Sequence, residues 1–311
     1  MTRLTHSVLS IVLESLDQSP LPDTTPGAHI DLHLDQGLTR SYSIVGQDGH
    51  SSRYEIAVAL DPNSRGGSHR VHHRLRVGDE IDVAGPRNLF KLYPNAVHSF
   101  LIAGGIGITP IWSMVQELEQ QHKAWTLCFA ARSRAHAAYL EEIEALGQRS
   151  LCGRVLTHFD DEHDGFHLDL TALLETVPDD AHLYCCGPAP LLTAYELATQ
   201  NRPADHVHLE RFTNHSISDA SANIAFEVVL ARSGQTLQIP ANRTILDVML
   251  DSGIDAPFGC MQGVCGMCAV PLLEGIPDHR DNILSTSDKQ SNASVIVCCS
   301  RSLTASLTID I

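Results

Sequence analysis

The stretch FGCMQGVCGMC, Phe258 to Cys268, sets three cysteines in the spacing C-x4-C-x2-C, and VCCSR at 297–301 offers Cys298 and Cys299 as adjacent candidates for a fourth. Disulfide knots, zinc sites and iron–sulfur clusters all use cysteine at this density. The chain holds nine cysteines, an odd number that cannot pair fully within it. The N-terminal MTRLTHSVLS lacks the apolar segment and small-residue cleavage site of a secretory leader. A reducing, cytoplasmic setting is therefore expected, which speaks against disulfides.

Zinc sites usually gather cysteines as two close pairs, whereas C-x4-C-x2-C followed by a distant cysteine is the spacing of plant-type [2Fe–2S] clusters. Gly259, Gly263 and Gly266 lie among the three cysteines. Without side chains there, the backbone can wrap closely round a cluster and aim N–H groups at its sulfurs. The spacing points to iron–sulfur, with zinc or a structural thiol cluster as the alternative.

A chain of 311 residues has room for two or three domains. No apolar run approaches the roughly 20 residues needed to span a bilayer. A net charge of −16 argues against nucleic acid and for solubility. Up to Phe100, AHIDLHL (28–34), RSYSIV (40–45), YEIAVAL (54–60) and DEIDVAG (79–85) alternate with period two between turn residues, the pattern of an antiparallel barrel or sandwich.

At SFLIAGGIGITPIWSMVQELEQQ the pattern changes: an apolar run turns through glycines into Ile111, Met114, Val115 and Leu118 at helical spacing, with Thr109 expected as N-cap and Pro110 at the first helical position. AWTLCFAA, YLEEIEALGQ, GRVLTHF, LDLTALLETV, AHLYCCG and PLLTAYELATQ then alternate strand and helix, which predicts a parallel sheet with crossover helices. TNHSISDASAN, 213–223, is polar and aperiodic, a linker pattern. HFDDEHDGFH, 158–167, reads as an exposed acidic loop rather than a metal site.

GGIGITP, Gly104 to Pro110, lacks the third glycine of the dinucleotide fingerprint and the lysine of a P-loop. It still ends a strand and opens a helix, where amides can meet pyrophosphate. Glycine turns of this kind also serve packing.

From Ala256 to Arg301 the cysteine region resembles the ferredoxin domain of the phthalate dioxygenase reductase family, whose last ligand sits in a C-x-S-R motif after an HRD segment. Here these are Cys298-Cys299-Ser300-Arg301 and His279-Arg280-Asp281. The resemblance implies Cys260, Cys265, Cys268 and Cys298 as cluster ligands, with Cys299 on the opposite face of a strand, packed or exposed.

GGIGITP with CGP (Cys186, Gly187, Pro188) resembles the pyridine-nucleotide domain of ferredoxin–NADP reductase-like enzymes. This implies nucleotide contacts at Gly104, Gly105, Gly107, Thr109, Pro110, Arg132, Cys186, Gly187 and Pro188, with Cys186 and Gly187 near the nicotinamide. A buried strand-end thiol is the alternative for Cys186, and solvated surface arginines the alternative for Arg132 and Arg134. The family's usual donor is NADH.

RSYSIV matches the R-x-Y-S motif of the same reductases through Arg40, Tyr42 and Ser43, and RGGSHRVHHR carries their phosphate loop in Gly66, Gly67 and Ser68. Alternation puts Arg40 and Tyr42 on one strand face. By resemblance Ser43 hydrogen-bonds a flavin near its reactive nitrogen, and Phe212 of ERF lies against that flavin, FMN rather than FAD. A plain surface strand and a hydrophobic anchor are the alternatives.

Over nearly its whole length the chain resembles that family in order: an antiparallel FMN-binding β-barrel (1–98), a Rossmann-like parallel α/β NAD-binding domain (99–212), a linker (213–223) and a β-grasp ferredoxin (224–311). Ser43, Cys186 and Phe212 are the implied catalytic residues. A nicotinamide releases a hydride while a [2Fe–2S] cluster takes one electron, and a flavin bridges the two. The expected product is an NADH-dependent monomeric reductase serving a Rieske-type aromatic oxygenase or O-demethylase. A quinone or cytochrome-type acceptor and a non-catalytic redox sensor are the alternatives.

Overall fold

The computed structural model describes residues 1–35, 38–47, 52–62, 64, 66–212 and 223–311. The expected linker lies outside them except for Asn223. The chain divides into two compact units, Met1–Arg211 and Phe212–Ile311.

The first unit begins with β1 (Thr2–Thr5), β2 (Val8–Glu14), β3 (His29–Asp35), β4 (Leu38–Gln47), β5 (Arg53–Ala59) and β6 (Asp82–Arg87), which join in the order β1-β2-β5-β4-β3-β6. All pairings are antiparallel. This barrel-like sheet closes round Ile11, Ile30, Leu32, Ile44, Ile56 and Val58. Helix α1 (Gly67–His73), a single short element between β5 and β6, adds Val71 to that core.

Strands β7 (Ser99–Gly104), β8 (Trp125–Ala131), β9 (Gly153–Phe159), β10 (His182–Cys186) and β11 (Val207–Glu210) form a parallel sheet in the order β11-β10-β7-β8-β9. The crossovers carry α2 (Ile108–Gln120), α3 (Leu140–Arg149), α4 (Leu170–Leu174) and α5 (Ala189–Thr199). Both faces of such a sheet are covered, so β7 and β10 are buried at every residue. Helix α2 buries Ile111, Met114, Val115 and Leu118, the i, i+3, i+4, i+7 stripe read in the sequence, together with Ile108.

The barrel and the parallel sheet share one unit because hydrogen bonds bind them. Gln116 Nε2 donates to the Val45 carbonyl at 3.1 Å, Gly27 N–H to Ser113 Oγ at 3.1 Å, and Tyr139 OH to Glu55 Oε1 at 2.8 Å.

In the second unit β12 (Phe226–Leu230), β13 (Thr236–Ile239), β14 (Ala269–Glu274), β16 (Ser294–Ile296) and β18 (Ser306–Ile309) form a mixed sheet in the order β13-β12-β18-β14-β16. β15 (Pro277–Asp278) pairs with β17 (Arg301–Ser302), and α7 (Thr286–Ser291) precedes β16. Helix α6 (Ile245–Asp251) starts in a capping box between Thr244 and Asp247 and packs Ile245, Leu246 and Met249 on the sheet. One helix on a mixed five-stranded sheet is the β-grasp arrangement expected from the sequence.

The arginine of the C-C-S-R motif is a hub of this unit. Arg301 is buried, donates to the carbonyls of Arg243 at 2.8 Å, Ile224 at 3.0 Å and Pro240 at 3.1 Å, and stacks over Phe226. Replacing it leaves three carbonyls without that donor. Arg301→Met is expected to lower the unfolding free energy of the Phe212–Ile311 unit by about 3 kcal/mol, read from urea denaturation of the full chain.

Candidate redox sites

The parallel sheet reverses its winding between β7 and β10, since the chain leaves β7 through β8 and β9 and returns on the other side at β10. In open α/β sheets ligands bind at the carboxyl ends of strands at such a point. The two glycine turns meet there. A Cβ on Gly107 would lie 2.2 Å from the Cys186 carbonyl oxygen, and one on Gly187 would lie 3.0 Å from Gly104 Cα. Gly105 has φ +52° and open space where its Cβ would stand, so the backbone presents a bare edge.

Thr109 does not cap α2. A 3-10 turn over Gly105–Gly107 runs straight into the helix, whose N-cap is Gly107, and Thr109 Oγ1 instead donates to the Ile106 carbonyl at 3.0 Å. Pro110 is consequently the third helical residue, still in the first turn, where its missing N–H costs nothing. Pro188 caps α5 on the opposite side of the seam.

Cys186 is fully buried, and burial pushes its thiol well above the ordinary range, so it stays neutral. Opposite it in the β10–β11 ladder stands Glu210, which sequence reasoning passed over. Glu210 Oε2 is enclosed without a hydrogen-bond partner, and burial pushes the carboxyl up to about 8. Only the register of β11 brings this residue to the seam; the ERF motif that contains it was the one available signal. Phe212 follows two residues later, partly exposed, at the start of the second unit.

Past the end of β8, Arg132 is exposed and its carbonyl accepts the Asp161 N–H at 3.1 Å. Arg134 pairs with Glu144 at 2.6 Å and lies over the Phe159 ring. The acidic loop is a 3-10 turn over Asp160–Glu162, with His158 and His167 at 3.6 and 3.1 Å from Asp160. Among the described residues no group of three or more His, Cys, Asp or Glu side chains is arranged to hold a single metal ion.

On the barrel, the phosphate-loop residues and the R-x-Y-S strand come together. A Cβ on Gly67 would sit 2.6 Å from Arg40 Cγ, so glycine there lets the start of α1 close on the arginine. Ser68 Oγ accepts the Asp61 N–H at 3.1 Å. Tyr42 packs on the edge of the barrel core, where burial pushes its hydroxyl up to about 12 against the pull of the Arg40 charge. Ser43 is buried and faces His29 across the β3–β4 ladder.

His29, Asp31 and Arg87 were missed. Alternation in HIDLHLD marks residues 29 and 31 as solvent-facing, yet they are 6% and 1% exposed. Arg87 pairs with Asp31, and Ser41 Oγ donates to Asp31 Oδ1 at 2.5 Å. His29 Nε2 and Arg87 Nε are enclosed without partners, and burial holds the His29 imidazole below its usual range. Enclosed donors beside Ser43, with Arg40 at a glycine turn, fit an anionic cofactor that accepts hydrogen bonds.

In the second unit Cys260, Cys265, Cys268 and Cys298 are all buried, and all nine cysteines of the chain are free thiols. The neighbouring thiol of Cys265 and then burial hold Cys260 well above the ordinary cysteine range, and Cys298 followed by burial does the same to Cys268. Thiols packed this closely, with Cys260 and Cys268 held from ionising by their neighbours and by burial, fit a cationic centre that would take them as thiolates. Backbone amides already aim at them: Cys260 N–H at Cys265 Sγ, 3.3 Å; Gln262 N–H at Cys260 Sγ, 3.3 Å; Gly263 N–H at Cys298 Sγ, 3.2 Å.

Cys298 and Cys299 lie in a turn after β16 rather than on a strand. Strand alternation therefore does not separate them. Cys299 is buried and its Sγ approaches the Ile296 carbonyl at 3.8 Å.

A nucleotide seam at a parallel-sheet switch point, a barrel carrying R-x-Y-S, and a β-grasp unit that gathers three loop cysteines with Cys298 define an NAD-dependent electron-transfer oxidoreductase. Family models agree: residues 228–303 match the 2Fe-2S iron-sulfur cluster binding domain and 101–196 the oxidoreductase NAD-binding domain. The chain is 43% identical to tetrachlorobenzoquinone reductase of Sphingobium chlorophenolicum, covering 100% of this chain and 96% of that one. It is 39% identical to vanillate O-demethylase oxidoreductase of a Pseudomonas species, covering 100% and 98%. Among solved structures, phthalate dioxygenase reductase, described as modular for electron transfer from pyridine nucleotides to [2Fe–2S], matches with TM-score 0.79 and 33% identity over 99% of this chain and 95% of its own. The chain belongs to the phthalate dioxygenase reductase family.

The raised Glu210 carboxyl gives a pH-dependent stability term. Between the ordinary carboxylate range and about pH 8 the folded chain holds a proton that the unfolded chain releases, so stability falls as pH rises through that window. Glu210→Gln removes the term. Its melting temperature is expected to gain on the parent's as pH is raised from about 5 to about 9; a gap that stays constant over that range contradicts the assignment.

Proposed function

We propose that this chain oxidises NADH at the Gly104–Cys186 seam, uses FMN held by the barrel, and delivers single electrons through a [2Fe–2S] cluster on Cys260, Cys265, Cys268 and Cys298 to a Rieske-type terminal oxygenase. The observation that carries the reading is the four-thiol site, three loop cysteines with Cys298, with three amides aimed at its sulfurs, in one chain with the nucleotide seam. When bound, the flavin supplies the conversion of a two-electron hydride into single electrons.

The chain's own residues bind and orient. Gly104, Gly105, Gly107, Thr109, Pro110, Gly187 and Pro188 give the dinucleotide a side-chain-free edge, and Cys186 walls it with a neutral thiol. Arg40, Gly66, Gly67 and Ser68 hold the flavin phosphate, Tyr42 and Ser43 its ring system, and Phe212 covers that ring system. Arg132 meets the adenosine end. Its companion Arg134 is taken by Glu144, and Asp160, Asp161 and Glu162 lie beside it, a field that repels a 2′-phosphate and favours NADH. The functional segments are 1–98, 99–212 and 224–311, joined by the linker, and the buried free thiols suit a reducing cytoplasm.

The relative named vanillate O-demethylase oxidoreductase supports an oxygenase or O-demethylase partner. The relative named for tetrachlorobenzoquinone supports a second reading, in which a quinone is the acceptor. Replacing each adjacent cysteine tests both. Cys298→Ala is expected to lose the cluster's visible absorption and at least about tenfold of NADH-driven reduction of a Rieske oxygenase, while Cys299→Ala keeps both, because only a coordinated thiolate is indispensable to the cluster. Equal oxygenase reduction by the two variants overturns the proposed route. Quinone reduction unaffected in Cys298→Ala, with no transfer to any Rieske protein by the parent, establishes the second reading.

A further inference from the structure

The HRD segment takes no part in the route described above, yet Asp281 is among the most deeply buried charged residues of its unit, 2% exposed. Asp281 Oδ2 accepts the N–H groups of Ile283 at 3.1 Å and Leu284 at 2.8 Å. Lys289 Nζ stands 3.7 Å from the same oxygen and donates to the Asp281 carbonyl at 2.6 Å. On the other side, His279 Nδ1 lies 3.7 Å from Asp281 Oδ1, and His279 Nε2 contacts Asn292 Oδ1 at 3.3 Å. The two amide bonds to Oδ2 close the 281–284 segment into a turn, while Asp281 Oδ1 and His279 Nδ1 are enclosed without a hydrogen-bond partner.

That turn touches both halves of the cysteine site. Asn282 N–H donates to the Gly263 carbonyl at 3.0 Å, and Arg280 N–H to Ser300 Oγ at 3.3 Å, beside the turn that carries Cys298. Gly263 has φ +69° and no side chain to restrain it. Its carbonyl is held by Asn282, and its own N–H points at Cys298 Sγ at 3.2 Å. Fixing the carbonyl side of a glycine fixes the torsions that aim its amide. Hydrogen bonds to ligand sulfurs stabilise the more negative, reduced state of an iron–sulfur centre and so raise its potential.

We propose that Asp281 is a positioning residue for the reduction potential of the cluster: by capping the 281–284 turn it holds Asn282 against Gly263 and keeps the Gly263 amide on Cys298. The proposal rests on the four-cysteine cluster assigned above. The segment thus orients one donor toward the ligand without touching a ligand itself, and its buried charge is secondary to its acceptor geometry.

Removing Asp281 changes charge as well as geometry, so the informative comparison is between two neutral replacements. Asp281→Asn keeps a side-chain oxygen for the Ile283 and Leu284 amides, and Asp281→Ala has none. In the full-length, cofactor-loaded chain, redox titration followed by electron paramagnetic resonance is expected to place Asp281→Ala about tenfold lower than Asp281→Asn in the equilibrium constant for one-electron reduction, about 59 mV. The exchangeable-proton coupling of the Gly263 amide should weaken in Asp281→Ala alone. Should Asp281→Ala fail to assemble a cluster, Asp281→Ser, with a hydroxyl for one amide, is expected below Asp281→Asn. Equal potentials for Asn and the shorter residue, with unchanged couplings, overturn the proposal and leave the cluster assignment intact. A parent protein without a two-iron signal overturns the cluster assignment, and the proposal with it.

Discussion

A backbone amide can reach an anion or a sulfur only where no side chain stands in the way, and this chain meets that constraint at each of its three sites. Gly67 lets the start of α1 close on Arg40, Gly107 lets the β7 turn lie on the Cys186 carbonyl, and Gly263 turns its amide to Cys298. At the first two positions a single methyl group would stand within 2.6 Å of its neighbour. The regular elements supply what the glycines cannot: a doubly covered parallel sheet fixes the ends of β7 and β10, and α6 with its sheet anchors the cysteine loop.

Electrostatics follows from the same enclosure. Burial raises the Glu210 carboxyl and the Cys186 thiol at the seam, and a neighbouring thiol together with burial raises Cys260 and Cys268. Held neutral, the two seam groups place no charge at the Gly104–Cys186 seam. The crowded thiols hold their protons unless a cationic centre takes them as thiolates. On the barrel the buried Asp31 is paired instead with Arg87 and accepts the Ser41 hydroxyl.

Sites whose chemistry is set by neighbours in the chain were legible in the sequence. The cysteine spacing, the two glycine turns, R-x-Y-S and the stripe on α2 all depend on contiguous residues, and the structure brings Gly104, Gly107, Cys186 and Gly187 together, and Arg40 with Gly67. Residues that act through register were not legible. His29 and Asp31 look solvent-facing by alternation, Arg87 lies outside every stretch read as a strand, and Glu210 stands opposite Cys186 only because β11 pairs with β10. The start of α2 and the setting of Cys299 were misread for a related reason: a 3-10 turn entering a helix and a turn closing a strand leave no period in the sequence.

The central claim is a single path from nicotinamide to flavin to cluster within this chain. It is tested most directly by the anaerobic visible spectrum of the purified protein before and after stoichiometric NADH. The account predicts overlapping flavin and iron–sulfur bands that both bleach. Cluster bands without flavin, or a flavin that NADH leaves oxidised, would contradict it and reduce the chain to a ferredoxin-like carrier or sensor.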